Sequence, residues 1–139
     1  MTLKNHKSFL KKLDKRLTDT KAKEYVTRGT MMVQNTAKKS ILAGGTGRTY
    51  EKYEPRRTHT ASAPNQPPAS DTGFLANNIT MEVNTESNGT VVGKIISSAP
   101  YSKFLEFGTT NITERPFMQP ALQKNKQKIL NLFRKGILK

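Results

Sequence analysis

Two stretches of backbone punctuation limit what this chain can fold into: SAPNQPPASDTG at residues 62–73 and APYSKFLEFGTTNITERPFMQPAL at residues 99–122. Proline locks φ and removes a backbone donor, while glycine opens positive φ, so neither block can carry a long helix or a central strand. The regular elements must therefore lie before, between and after the blocks. Neither contains a set of side chains arranged for chemistry. Each holds a backbone path, which is the property of a part that docks.

Before the first block, Leu3, Phe9, Leu10, Leu13 and Leu17 recur at helical spacing between lysines and predict an amphipathic helix over residues 3–17. A second helix is expected over residues 20–42, with a broad stripe of apolar or small residues that includes Tyr25, Val26, Gly29, Met32, Val33, Ala37 and Ile41. Such a face suits packing on a sheet. Gly29 within it costs the helix about 1 kcal/mol relative to alanine, which points to a close approach by another backbone. Gly44, Gly45 and Gly47 end the helix.

Residues 43–71 form a long connection for a small domain, and long connections are usually functional or disordered. Inside it RTYEKY and RTHTAS flank Glu54-Pro55-Arg56, with Thr and Tyr alternating, and read as a flexible β-hairpin arm. With little to bury, the arm is expected to be mobile in an isolated subunit and to order on a neighbour. Between the blocks, Ile79, Met81 and Val83 share one face of a strand, Asn88-Gly89 is a hairpin turn, and residues 90–97 return. Pro100 opens a short helical turn at residues 101–106 that Gly108 breaks. A last helix is expected from Phe117 or Met118 to about Lys135, with Pro120 tolerated in its first turn.

These elements make an α+β domain spanning residues 1–139, with residues 43–71 as an extended arm. The expected core is a small antiparallel sheet packed against a long N-terminal helix and a C-terminal helix, both on one side. At 139 residues, 34% of them hydrophobic, the chain builds one modest core. Phe104, Phe107 and Phe117 are expected in that core, with Met31 and Met32 as gap-fillers between helices.

The absence of cysteine excludes a disulfide framework and a thiolate metal site. His6 and His59 are too few for a metal cluster, no apolar run reaches the roughly 20 residues of a membrane span, and the N-terminus lacks a signal-peptide core. The expectation is a protein made in a cytoplasm and free of membrane. Net charge is +14, and no acidic residue follows Glu114. An imbalance of this size favours a polyanionic neighbour, DNA or an acidic protein surface, through counterion release and steering. Lys7, Lys11 and Lys15 are the candidate DNA-facing residues. A solvated helix face accounts for many of the other lysines.

No constellation supports catalysis. Gly44-Gly45-Thr46-Gly47 lacks the Lys-Ser/Thr that would grip phosphates, and His59, Ser62 and Asp71 lie in one proline-rich segment with nothing rigid to align them as a triad. Glu106 and Arg115 are expected to pair across the Gly108 turn and so pin the loop that launches the last helix. Tyr50, Tyr53, Arg56 and Arg57 are the best candidates for a functional surface, since tyrosine and arginine are enriched in interface cores. Pro64, Pro67 and Pro68 extend that candidate interface, against the plainer reading of the tyrosines as strand packing.

In order along the chain, residues 47–50 (GRTY), 62–69 (SAPNQPPA), 71–75 (DTGFL), 101–109 (YSKFLEFGT) and 115–122 (RPFMQPAL) resemble the neck and tail-completion proteins at the head-to-tail junction of long-tailed double-stranded DNA bacteriophages. Two positions depart from that pattern: Asn65 stands where glycine is usual, and Asn78 where serine is usual. Asn tolerates the left-handed region best among non-glycine residues, so the first departure should keep the turn. The resemblance implies a structural virion protein of the neck, without cofactor or enzymatic activity. It also implies a homo-oligomeric ring, six- or twelve-fold, joining the portal, adaptor or stopper of the head to the tail-terminator or tail-tube proteins, with genomic DNA passing through. A closed ring needs a heterologous interface, and the arm is the candidate for one of its two patches. The competing reading, carried by charge alone, is a basic nucleic-acid-binding accessory or regulatory protein.

Overall fold

A computed structural model describes residues 3–54 and 56–137, and the side chains of residues 19–54 and 56–136. Elements follow in the order α1 (Leu3–Leu42), β1 (Thr49–Tyr53), β2 (Arg56–Thr60), α2 (Phe74–Asn77), β3 (Ile79–Thr85), β4 (Val91–Ser97), α3 (Ser102–Phe107) and α4 (Met118–Ile137). The two helices expected before residue 43 are one helix of 40 residues. Thr18, Asp19 and Thr20 look like a cap in the sequence, but no glycine or proline interrupts the chain there. Asp19 and Thr20 face solvent, where polar residues are tolerated inside a helix.

The strands form two separate antiparallel hairpins, β1–β2 and β3–β4. In the second, Ile79 pairs with Ser97 and Thr85 with Val91 around a turn in which Gly89 has φ of 87°. Burial alternates along β3 as expected, with Ile79, Met81 and Val83 turned inward. That face lies on α1. A Cβ at Gly93 would stand 1.9 Å from the Thr30 hydroxyl, so glycine is what lets β4 settle onto the helix there.

The described part of α1 is the middle of the stack, touching β3 and β4 and also α4. The contacts between α1 and α4 run in opposite senses along the two helices. Asn125 Nδ2 donates to Thr36 Oγ1 at 2.8 Å, Ile129 sits over Gly29, and the Phe133 and Tyr25 rings lie 5.9 Å apart. The close approach expected at Gly29 is thus made by an isoleucine side chain, not by a backbone. Val33, Ala37 and Ile41 at one-turn spacing meet Leu75, Ala76, Ile79, Ala99, Phe117 and Ala121 to form the buried core. Burying a single side chain such as Ile79 or Phe117 contributes roughly 1.5–3 kcal/mol.

Phe104 and Phe107 are not in that core; they are 43% and 77% exposed. The reason is the length of α3, six residues, which can turn only Leu105 toward the interior. Met31, expected between helices, is also exposed, while Met32 is half-buried. Among the described residues no helix is long and apolar enough to cross a membrane, and no group of His, Cys, Asp or Glu could hold a metal ion.

Candidate assembly surface

The two punctuation blocks meet each other. Arg115 Nη1 donates to both the carbonyl oxygen and the hydroxyl of Ser62, each at 2.8 Å, and the Asn65 N–H donates to the Glu114 carbonyl at 3.2 Å. Asn65 has φ of 63°, so it occupies the left-handed turn that glycine would usually fill. Arg115 does not pair with Glu106. The Glu106 carboxylate instead accepts the backbone N–H groups of Phe117, Met118 and Gln119 at 2.8–3.0 Å. Those are unsatisfied donors at the start of α4, and a carboxylate there also complements the helix dipole. The correction has a simple cause: three converging N–H donors at a helix N-terminus satisfy a carboxylate, leaving the guanidinium to hold the other block. Gly108, with φ of 71°, lets the turn close, since a Cβ there would lie 2.9 Å from the Ile112 carbonyl oxygen.

The arm is a formed hairpin with a closed root. Gly47 N–H donates to Ala61 O at 2.8 Å and Ala61 N–H to Arg48 O at 3.0 Å, and a Cβ at Gly45 would collide with the Ala61 carbonyl at 2.2 Å. The glycines that invite a phosphate-loop reading therefore let the two ends of the arm cross. Just beyond the root, Asp71 gathers the inner face of the hairpin. Arg57 reaches it through Nε and Nη2 at 3.0 and 3.1 Å, Lys52 forms an ion pair with it, and His59 Nδ1 lies 3.8 Å away. The Arg57 guanidinium, and after it the Lys52 ammonium, hold the Asp71 carboxyl at about 2 instead of its ordinary 3.8. Asp71 is thus committed to the cations of the hairpin, and the Ser62 hydroxyl accepts from Arg115.

Cross-strand register sorts the expected interface residues. Tyr50 pairs with His59 and Lys52 with Arg57 on the Asp71 side, whereas Glu51 faces Thr58 and Tyr53 faces Arg56 on the opposite side. Arg57 is thus spent on holding the arm. Tyr53 (72% exposed) and Arg56 stand on the outer face, and Tyr50 is partly covered by the Arg48 guanidinium 5.4 Å from its ring centre. Among the prolines, Pro64 is exposed, Pro67 half-buried and Pro68 buried, so only the first lies open for contact. Lys7, Lys11 and Lys15 belong to α1, but their side chains lie outside the described residues.

A second surface was not legible in the sequence. Between α1, β4, α3 and α4 runs an open groove of about 840 Å³, walled by Val26, Val33, Ile95, Phe117, Ile129 and Phe133. Its rim carries the exposed side chains of Phe107 and Leu122. Of the polar groups along it, Thr30 Oγ1 is engaged with the Val26 carbonyl and Glu106 with the start of α4, while the buried Ser97 hydroxyl has no partner. A pocket of this size built for a small ligand carries a few converging polar groups, and here a single unpaired hydroxyl, that of Ser97, stands among apolar walls. The apolar periodicity of α4, with Leu122, Ile129 and Phe133 on one face, was the only available signal.

Comparison with known proteins agrees with this frame. A family model described as "Bacteriophage HK97-gp10, putative tail-component" matches residues 4–108, three-quarters of the chain. The chain belongs to this HK97-gp10-like family of bacteriophage tail components. The match takes in α1, both hairpins and α3, and ends before α4. No curated protein and no solved structure matches.

Proposed function

We propose that this protein is a structural subunit of the phage neck: a ring-forming connector between head and tail, required for head–tail joining and for passage of DNA. The observation that carries the reading is the arm. In a chain of this family, a hairpin tied down at its root and along its inner face by Asp71 presents an exposed tyrosine and arginine on its outer face, a surface suited to a partner. A ring closes through one patch binding a different patch on the next copy, and a rooted, protruding hairpin supplies such a patch. Partners on either side would be head-completion and tail-terminator or tail-tube proteins, and symmetry six- or twelve-fold. Among the described residues no group of His, Cys, Asp or Glu is placed to hold a metal.

The test is an infection lacking the protein and complemented with variants, with free heads and free tails counted by electron microscopy. Tyr50→Ala with Tyr53→Ala should fold as the parent does and leave heads and tails separate. Neutralising Lys7, Lys11 and Lys15 should harm joining less. Full particles from the tyrosine variant together with failure of the lysine variant would move the interface from the arm to the N-terminal part of α1.

The charge of +14 favours a second reading, direct contact with DNA. A salt titration against random duplex DNA separates the two, because each lost phosphate contact lowers the salt slope by about 0.9. Tight binding by the monomer favours an accessory nucleic-acid protein, and weak binding that grows on assembly favours the neck.

A further inference from the structure

We infer that the groove between α1, β4, α3 and α4 is the seat for the outer face of the β1–β2 arm of a second copy of this chain. This rests on the ring reading above and supplies the second of its two patches. None of the residues lining the groove comes from the arm, so the two surfaces are separate on one subunit, as a heterologous contact requires. Their chemistry matches. The groove is apolar, with Phe107 and Leu122 exposed at its rim, and its nearby charges are lysines: Lys103 lines it, and Lys126 lies one turn from Leu122 on the same face of α4. Glu106, the carboxylate on this wall, is occupied by three backbone N–H groups.

The arm offers the complement. Its outer face and turn carry Tyr53 with Glu51 and Glu54, two carboxylates against the single guanidinium of Arg56. Glu51 lies 3.3 Å from the Tyr53 hydroxyl, so the ring and the carboxylate travel together. In a chain with 24 cationic and 10 acidic residues, most surfaces of one copy repel those of another; an acid-bearing aromatic tip facing a lysine-rimmed apolar groove is an exception. An aromatic entering a desolvated pocket under a rim of opposite charge is also the usual anatomy of an energetic anchor.

Because the chain contains no cysteine, the contact can be read by disulfide trapping. One full-length chain carries Tyr53→Cys and another, distinguishable by mass, carries Leu122→Cys; they are mixed at the highest workable concentration with oxidised glutathione as the oxidant. Phe107→Cys replaces Leu122→Cys if the latter fails to match the parent's circular dichroism and melting. The expected result is a disulfide that joins unlike chains faster than like ones. Reversing Glu51 and Glu54 to lysine should slow that trapping about tenfold, and Lys103→Glu with Lys126→Glu should restore it. Dominant Tyr53→Cys self-pairing, or no unlike pairing in folded variants, overturns the inference. Unlike pairing in a protein whose removal leaves heads joined to tails would retain the contact and sink the neck reading. Separated heads and tails without unlike pairing would do the reverse.

Discussion

The chain contains two antiparallel hairpins, and they are ordered by different forces. In β3–β4, Ile79, Met81 and Val83 turn toward α1, and Gly93 lets the return strand touch the helix; burial holds it. In β1–β2 no face is apolar: Thr, Tyr, Glu, Lys and Arg alternate, and order comes from the glycine-lined root and from Asp71 gathering Arg57 and Lys52. A hairpin held by burial has one face committed to its own subunit. A hairpin held at its root by backbone bonds and along its inner face by charge keeps its outer face free, as the proposed contact with a neighbour requires.

The contrast is tested most severely by removing a side chain from each. Ile79→Ala deletes a residue only 1% exposed and should cost about 2–5 kcal/mol in denaturant unfolding. Tyr53→Ala, on the outer face of the arm, should stay within about 0.5 kcal/mol of the parent, as exposed sites do. Comparable losses for the two would show that the arm is part of the cooperative core, and the comparison would collapse.

A smaller effect is expected where the two punctuation blocks lock. Glu106→Ala strips three N–H groups of their acceptor and should cost about 1–3 kcal/mol, with amide exchange rising in the first turn of α4. Arg115→Ala should raise exchange in residues 62–65 instead, because its guanidinium holds Ser62. If either substitution loosens both segments equally, the two side chains act as one unit, and the ion pair suggested by the sequence describes them better than the separate bonds do.

What was legible in the sequence follows the same division. Period-two alternation in residues 79–85 and the Asn88-Gly89 turn mark β3–β4, and Pro120 in its first turn fits the start of α4, because each signal is local. The positive φ of Asn65 followed from the resemblance, in which glycine is usual there, together with the tolerance of Asn for the left-handed region. Four features were not legible. The joining of two expected helices into α1 depends on Asp19 and Thr20 facing solvent. The choice of Glu106 between a guanidinium and three backbone donors is decided by where the start of α4 falls. The Asp71 tether spans 14 and 19 residues to its partners, a separation at which no sequence spacing carries information. The groove is the largest omission, since its walls come from four elements.

The finest test of the comparison uses pH. Arg57 and Lys52 hold the Asp71 carboxyl at about 2, below its ordinary 3.8, so the folded hairpin binds that proton less readily than the unfolded chain does. A depressed carboxyl stabilises the folded form fully above the ordinary value, and that contribution is lost as pH falls through the folded one. Protection of the amides in β1 and β2, taken relative to those in β3 and β4, should therefore be constant above about pH 4 and decline between about pH 4 and 2. The side chain is 23% exposed, so added salt should shrink the effect without abolishing it. Asp71→Asn should remove the pH dependence and leave the ratio at its low value throughout, while the melting of the whole domain changes little. A ratio that stays flat from neutral pH to pH 2 in the parent would mean that the glycine-lined root alone holds the arm, and the electrostatic half of the contrast would have to be given up.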